Sequence, residues 1–391
     1  MSDWRVPGFT STGSKRPEAL FGVGDDPTLP GRLARASGAR VWDDAGREYL
    51  DYVMALGAVA LGYGHPAVQR AASEALAAGV VGPLAPVEEE RLAEALAQRL
   101  PWMERIRFLK TGAEAVAAAV RLARVFTGRE EVLGCGYHGW LDWCQGRAEG
   151  VPQGTRGVFA ELPFNDPERA REMIRYRGDR LAAVVVEPVV VAEPSREWLE
   201  TLREEATQAG AVLVFDEIKT AFRLAIGGAT ERYGIVPDLV VIGKAIANGL
   251  PLAAVGGRAD VMAAAARTWI SSTLATESVS LSAALATLDV FERESVCGHL
   301  HRVGTRLLHG LHRLQHEHRD LVPGVGGVAE MCFLHYANED VSRAVAMGCA
   351  RRGVLFKRTA YNFVSLAHGE ADVDHALDVL GDALKDAARA T

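Results

Sequence analysis

Short continuous apolar runs alternate along this chain with segments whose apolar residues return every three or four positions. Leu181-Ala-Ala-Val-Val-Val186, Ala211-Val-Leu-Val-Phe215 and Asp238-Leu-Val-Val-Ile242 are rich in branched residues and short for helices. They predict strands buried on both faces, as in a parallel sheet covered by helices. Glu131–Cys135, Ile106–Leu109 and Leu252–Gly256 predict further strands. Helical spacing covers Ala67–Ala78, Glu88–Leu100 (stopped by Pro101), a long Ala-rich segment from Thr111 to about Phe126, the stretch after Asp166, and Ser278–Arg293. Arg40–Asp43 and Glu48–Tyr52, joined through Asp44-Ala-Gly46, predict a hairpin. Val354–Arg358 and Phe363–His368 suit a small C-terminal domain. Residues 1–35 are rich in Gly, Pro and Ser and predict an arm. No fixed sequence period recurs, which argues against a repeat array. The class is α/β.

Composition narrows the function more by exclusion than by indication. With 391 residues, 49% hydrophobic and 24% charged, the chain is expected to form two or three domains of a soluble globular protein. The divisions expected are an arm with the start of a small domain at 1–45, a large domain at 46–277, and a connecting helix with the C-terminal small domain at 278–391. A net charge of −7 gives no electrostatic reason for a nucleic-acid or anionic-membrane partner. No apolar stretch reaches spanning length, and the first twenty residues lack a signal-peptide core. Five scattered cysteines, without a CxxC pair, suit reduced thiols in a cytoplasm.

Two of the predicted strands end on functional charges. The run to Phe215 delivers Asp216, and the run to Ile242 leads through Gly243 to Lys244. Carboxyl ends of parallel strands open a crevice where catalytic groups gather. An acid and a lysine there suit pyridoxal phosphate: the lysine holds the aldehyde as a Schiff base, and the acid pairs with the pyridinium nitrogen. Either residue alone would read as structural. Together with Phe215-Asp-Glu-Ile218, Phe222-Arg223, Tyr233-Gly234, Pro237-Asp-Leu239, Gly243-Lys244 and Gly249-Leu-Pro251, the stretch resembles the class III aminotransferases, especially the branch around glutamate-1-semialdehyde aminomutase. The resemblance runs from about Gly38 to Leu288. It implies the fold type I architecture of pyridoxal phosphate transferases: a large domain with a mixed, mostly parallel sheet flanked by helices, plus a smaller α+β domain. It also implies Lys244 as the Schiff-base lysine and Asp216 as the ring-nitrogen partner.

Other motifs gain roles through the same likeness. Thr111-Gly112-Ala113 opens a helix after a strand, where free N–H groups and the positive helix end favour an anion, and in the family this turn holds the cofactor phosphate. Ala113 stands where many relatives carry a hydroxyl. Gly136-Tyr137-His138-Gly139 matches the motif whose aromatic stacks on the pyridine ring, with Ile218 expected on the other face and His138 among the cofactor contacts. Glu187-Pro188 matches an acid near the site floor, while Ala192 replaces an asparagine that contacts the ring hydroxyl. Thr273 matches a threonine that reaches the phosphate of the neighbouring subunit, so the resemblance implies a homodimer with shared sites. Ala275-Thr-Glu277 departs from the family's small residues and Asn-Pro.

Three further patterns fail. Gly134-x-Gly136-x-x-Gly139 lacks the following helix a dinucleotide site needs, and Gly324-x-Gly326-x-x-Ala329 precedes a strand instead of following one. His309, His312 and His316 share a helix face, but no acid or cysteine completes a set, so no metal is expected.

The reaction implied is ping-pong amino transfer from an amine or amino acid donor to a carbonyl acceptor, with Lys244 as the base that moves the Cα proton. The alternatives are the aminomutase and a pyridoxal phosphate protein without turnover. Ala19, at the place of the mutase's carboxylate-binding arginine, and the early Gly150-Val-Pro152 argue against the mutase. Ser14-Lys-Arg-Pro17 looks like aminotransferases acting on sugar or secondary-metabolite carbonyls, with Arg16 expected to touch substrate.

Overall fold

The computed structural model describes residues 5–24, 26–145 and 149–390. The chain forms two compact units, one from its two ends (up to His65 and from Gly298) and one from Pro66–Cys297.

The second unit is built on a seven-stranded sheet of β1 (Arg105–Leu109), β2 (Glu131–Cys135), β3 (Phe159–Glu161), β4 (Leu181–Val186), β5 (Val212–Asp216), β6 (Leu239–Ile242) and β7 (Ala253–Gly257). Across the sheet the order is β1-β7-β6-β5-β4-β2-β3. The strands β6-β5-β4-β2-β3 pair in parallel, while β7 runs antiparallel to both β1 and β6. The apolar runs are continuous because both faces are covered. Ala183, Val185, Val212 and Val214 join one core with the Ala-rich helix α3 (Gly112–Thr127). The intervening Val184, Val186, Leu213 and Phe215 join the other, with α4 (Pro167–Arg177) and α5 (Arg196–Ala209). Successive side chains of a strand point to opposite faces, so a helix layer on each side demands an apolar residue at every position.

Around this sheet lie α1 (Pro66–Ala78), α2 (Val87–Arg99) and α6 (Ser278–Arg293), with α6 packed on both α1 and α2. The expected division at 277/278 therefore falls inside this unit. The Glu277 side chain caps α6, accepting the N–H groups of Val279 and Ser280.

The unit of the chain ends contains a four-stranded and a three-stranded sheet. In the first, Leu33–Ser37, Arg40–Asp43 and Glu48–Asp51 are antiparallel, and Val354–Leu355 adds in parallel. The expected hairpin is present, and the segment expected as an arm supplies one of its flanking strands. Gly324–Val328, Met331–His335 and Asn362–Phe363 form the second. The glycine motif at Gly324 is thus itself a strand. The two apolar runs at 354 and 363 yield only two strand residues each, because Asn362 turns back on the intervening loop, accepting the Lys357 N–H and donating to its carbonyl. Among the described residues no helix is long and apolar enough to cross a membrane.

Candidate active site

Because β4, β5 and β6 are adjacent and parallel, their carboxyl ends bring Glu187, Asp216 and Lys244 to one edge of the sheet. Gly136-Tyr137-His138 follows β2 at the same edge, and Thr111 follows β1. No two of these segments are near in sequence; the topology assembles them.

Asp216 is buried, with one oxygen 2.8 Å from Nδ1 of His138 and the other accepting the Ile218 N–H at 3.2 Å. His138 is buried too and stacks on Trp143 at 5.9 Å between ring centroids. Two contacts thus fix this carboxylate in place at the strand end.

Lys244 begins a 3-10 turn with φ +47, a left-handed conformation that side chains other than glycine rarely adopt. Such strain concentrates at functional positions. Burial, followed by the neighbouring Lys219 ammonium, pushes its amine from 10.5 down to about 8. Arg223 acts in the same direction, while Glu187 and Asp216 oppose it. An amine so tuned can shed its proton near neutral pH and act as nucleophile or base.

Ile218 lies between two glycines. A Cβ on Gly112 would stand 3.0 Å from its Cδ1, and one on Gly243 only 2.7 Å. The glycine at each place lets this side chain pack between the α3 turn and the turn to Lys244. At α3 itself, Thr111 caps the helix in a reciprocal box with Glu114: its hydroxyl accepts the Glu114 N–H, and both its own N–H and its hydroxyl donate to the Glu114 carboxylate. That occupies the Thr111 donors, so the donors left for an anion are the N–H groups of Gly112 and Ala113 at the helix start. Gly139, at φ +97, packs directly on Ala113, where a Cβ would come within 2.5 Å of the alanine's own. The turn after Tyr137 is thereby held against the helix start.

Tyr137 is exposed, and its N–H donates to Glu187 at 2.9 Å. Glu187 also pairs with Lys219 at 3.1 Å. A cavity of about 320 Å³ beside Tyr137 and His138 is bounded by Gln145, Phe159 and Glu161. Thr273 is exposed. Arg16 is exposed in the unit of the chain ends, at the start of the short helix Pro17–Phe21. Ala192 is exposed in the loop between β4 and α5.

The donor set fits pyridoxal phosphate part by part. Two free N–H groups at a helix start suit the phosphate, a fixed buried carboxylate suits the ring nitrogen, Ile218 suits a ring face, and a neutralisable lysine suits the aldehyde. Sequence reasoning missed Lys219, the stacking of Trp143 on His138, and the Lys110–Glu277 pair at 2.7 Å, which ties the residue before Thr111 to the cap of α6. Burial alone would raise the Glu277 carboxyl, but hydrogen bonds from Lys110 and Ser280 bring it below its ordinary value. A lysine three positions after Asp216, directly past a buried strand, was the available signal for Lys219.

The family model for Aminotransferase class-III matches residues 22–387. The glutamate-1-semialdehyde 2,1-aminomutase of Thermomicrobium roseum is 38% identical over 409 residues, covering 95% of this chain and 94% of that protein. Among solved structures, the FumI protein of Sphingopyxis sp. MTA144, determined with PLP, superposes with a TM-score of 0.91 at 28% identity, covering 98% of this chain and 94% of that one. An omega-transaminase from Sphaerobacter thermophilus gives 0.84 at 27%, covering 93% and 94%.

Proposed function

The chain belongs to the class III aminotransferases and is a pyridoxal phosphate-dependent aminotransferase, and we propose that it moves an amino group between two separate molecules with Lys244 as its reactive lysine. The observation that carries this reading is a half-buried lysine, two residues past the end of the strand next to the one that ends in the Asp216–His138 pair, held in a left-handed backbone conformation at φ +47.

When bound, pyridoxal phosphate supplies an aldehyde for the incoming amine and a ring that accepts the electron pair left at the substrate Cα. The N–H groups of Gly112 and Ala113 would hold its phosphate, and Tyr137 and Ile218 would orient its ring. Asp216, held by His138, would face the ring nitrogen and favour a proton there. The Nζ of Lys244 would be the base that carries the substrate Cα proton. Glu187 lines the floor and fixes the Tyr137 backbone.

A homodimer completes the site in this reading, with Thr273 reaching the neighbour's phosphate. Its support is an apolar surface: Leu76, Val80, Val81, Leu84 and Val87 are exposed, as are Trp269 and Leu274. The Ser278 N–H donates to Val80 O at 3.0 Å, which joins the Thr273 loop to that surface. The five free thiols agree with a cytoplasmic setting. The acceptor proposed is a sugar or secondary-metabolite carbonyl, with Arg16 as the residue proposed to touch it.

The aminomutase is the second reading, favoured by the 38% identity to a protein of that name. A panel of amines and carbonyl acceptors separates the two. Transfer that needs a second carbonyl compound supports the proposal; isomerisation of a semialdehyde without one supports the mutase.

A further inference from the structure

Lys219 and Glu187 form an ion pair with both side chains nearly out of solvent, 10% and 6% exposed, at a separation of 3.1 Å. The carboxylate is held from several sides. Its second oxygen accepts the Tyr137 N–H at 2.9 Å, and Gly136 packs so closely that a Cβ there would lie 2.5 Å from that oxygen. The lysine is equally constrained by its backbone. Its neighbour Ile218 is seated against Gly243, the residue directly before Lys244, and the Glu217 N–H is bonded at 2.8 Å to Val241 O on the adjacent strand β6. The pair therefore spans the ends of β4 and β5, and Lys244 follows the end of β6. Burying two charges is costly and returns little net stability, so a pair fixed at this place has an effect to exert on the ammonium beside it.

We propose that Lys219 and Glu187 are positioning residues that together set how tightly the Nζ of Lys244 holds a proton, an inference that rests on Lys244 being the reactive lysine. The charges that act on Lys244 are, in falling order, those of Lys219, Glu187, Asp216 and Arg223, and the first three lie at or just past the ends of the adjacent strands β4 and β5 beside its own β6. Asp216 is already committed to His138, and Arg223 is wholly buried. The Lys219 ammonium opposes a second proton nearby, and Glu187 limits that opposition by neutralising it. The Cys135 thiol also feels the pair, but burial dominates there and pushes it up to about 12, so it adds no charge near neutral pH. The consequence is a lysine that sheds its proton readily to attack an aldehyde yet still accepts one from a carbon acid.

The test is a pH titration of the visible absorbance of the full-length, cofactor-loaded protein, in wild type, Lys219→Met, Glu187→Gln, Lys219→Arg and the Lys219→Met/Glu187→Gln double variant. Removing the cation leaves Glu187 unopposed, so K219M moves the midpoint up by about one pH unit or more; E187Q moves it down by a similar amount. K219R retains the wild-type midpoint, and the double variant returns toward it. Wild-type midpoints in both K219M and E187Q overturn the inference. Should K219M fail to load the cofactor, E187Q decides alone: a downward shift supports the inference and an unmoved midpoint overturns it. A wild-type protein that shows no visible band refutes the Lys244 reading itself, whereas a normal band with unmoved midpoints refutes only the role of the pair.

Discussion

Oδ2 of Asp216 lies 2.8 Å from Nδ1 of His138, with both side chains almost entirely shielded from water. The histidine comes from the turn after β2 and the acid from the end of β5, two strands separated in the sheet by β4. The carboxylate proposed to face the cofactor's ring nitrogen is thus fixed by a contact between distant segments. Asp216→Asn, which keeps the shape and removes the charge, is expected to lower kcat about 10²–10³-fold while cofactor still binds. His138→Ala removes one hydrogen bond to the carboxylate and is expected to cost less, about tenfold to a hundredfold. Steady-state kinetics beside cofactor content check both.

Cofactor uptake is expected to depend on pH through Lys244. Only the neutral amine attacks an aldehyde, so the rate of loading into cofactor-free protein should fall about tenfold for each pH unit below about 8 and level off above it. Stopped-flow absorbance measures this. The lowered proton affinity also has a stability consequence with a definite sign. Between about 8 and 10.5 the unfolded chain binds this proton and the folded chain does not, so cofactor-free protein should gain stability as pH rises through that window.

Gly139→Ala should weaken cofactor binding. The new Cβ would collide with Ala113 at the helix start, and φ +97 disfavours any L side chain. A rise in the cofactor Kd of about tenfold is expected from the backbone term alone, measured by equilibrium dialysis.

A shared site makes a prediction about mixed dimers. Lys244→Ala and Thr273→Ala proteins are each defective, but a hybrid carries one site with an intact Lys244 and an intact Thr273. Refolding or coexpressing an equal mixture should restore about a quarter of wild-type activity, since half the dimers are hybrids and half their sites are whole. No recovery above the single variants would mean that each chain completes its own site.

The sheet was legible because its burial is two-sided: runs such as Leu181–Val186 read as strands only because α3 lies on one face and α4 and α5 on the other. Lys244 and Asp216 stood out because each follows such a run. The pairing of Lys219 with Glu187 was not legible, since it joins residues 32 positions apart whose strands must first align. The loss of the Thr111 hydroxyl to Glu114 was written in the sequence as a Thr-x-x-Glu spacing, but that spacing is also an ordinary helix cap. Glu277 shows the reverse: a departure from the family's Asn-Pro that the structure turns into a helix cap and a partner for Lys110.

Lys244 is the lysine proposed to bond the cofactor aldehyde, and a second lysine, Lys219, follows the neighbouring strand β5. Borohydride reduction of the loaded protein, followed by peptide mapping, reads this directly. A single pyridoxyl label on the peptide carrying Lys244 is expected; a label on Lys219, or no labelled lysine at all, would rule out Lys244 as the reactive lysine.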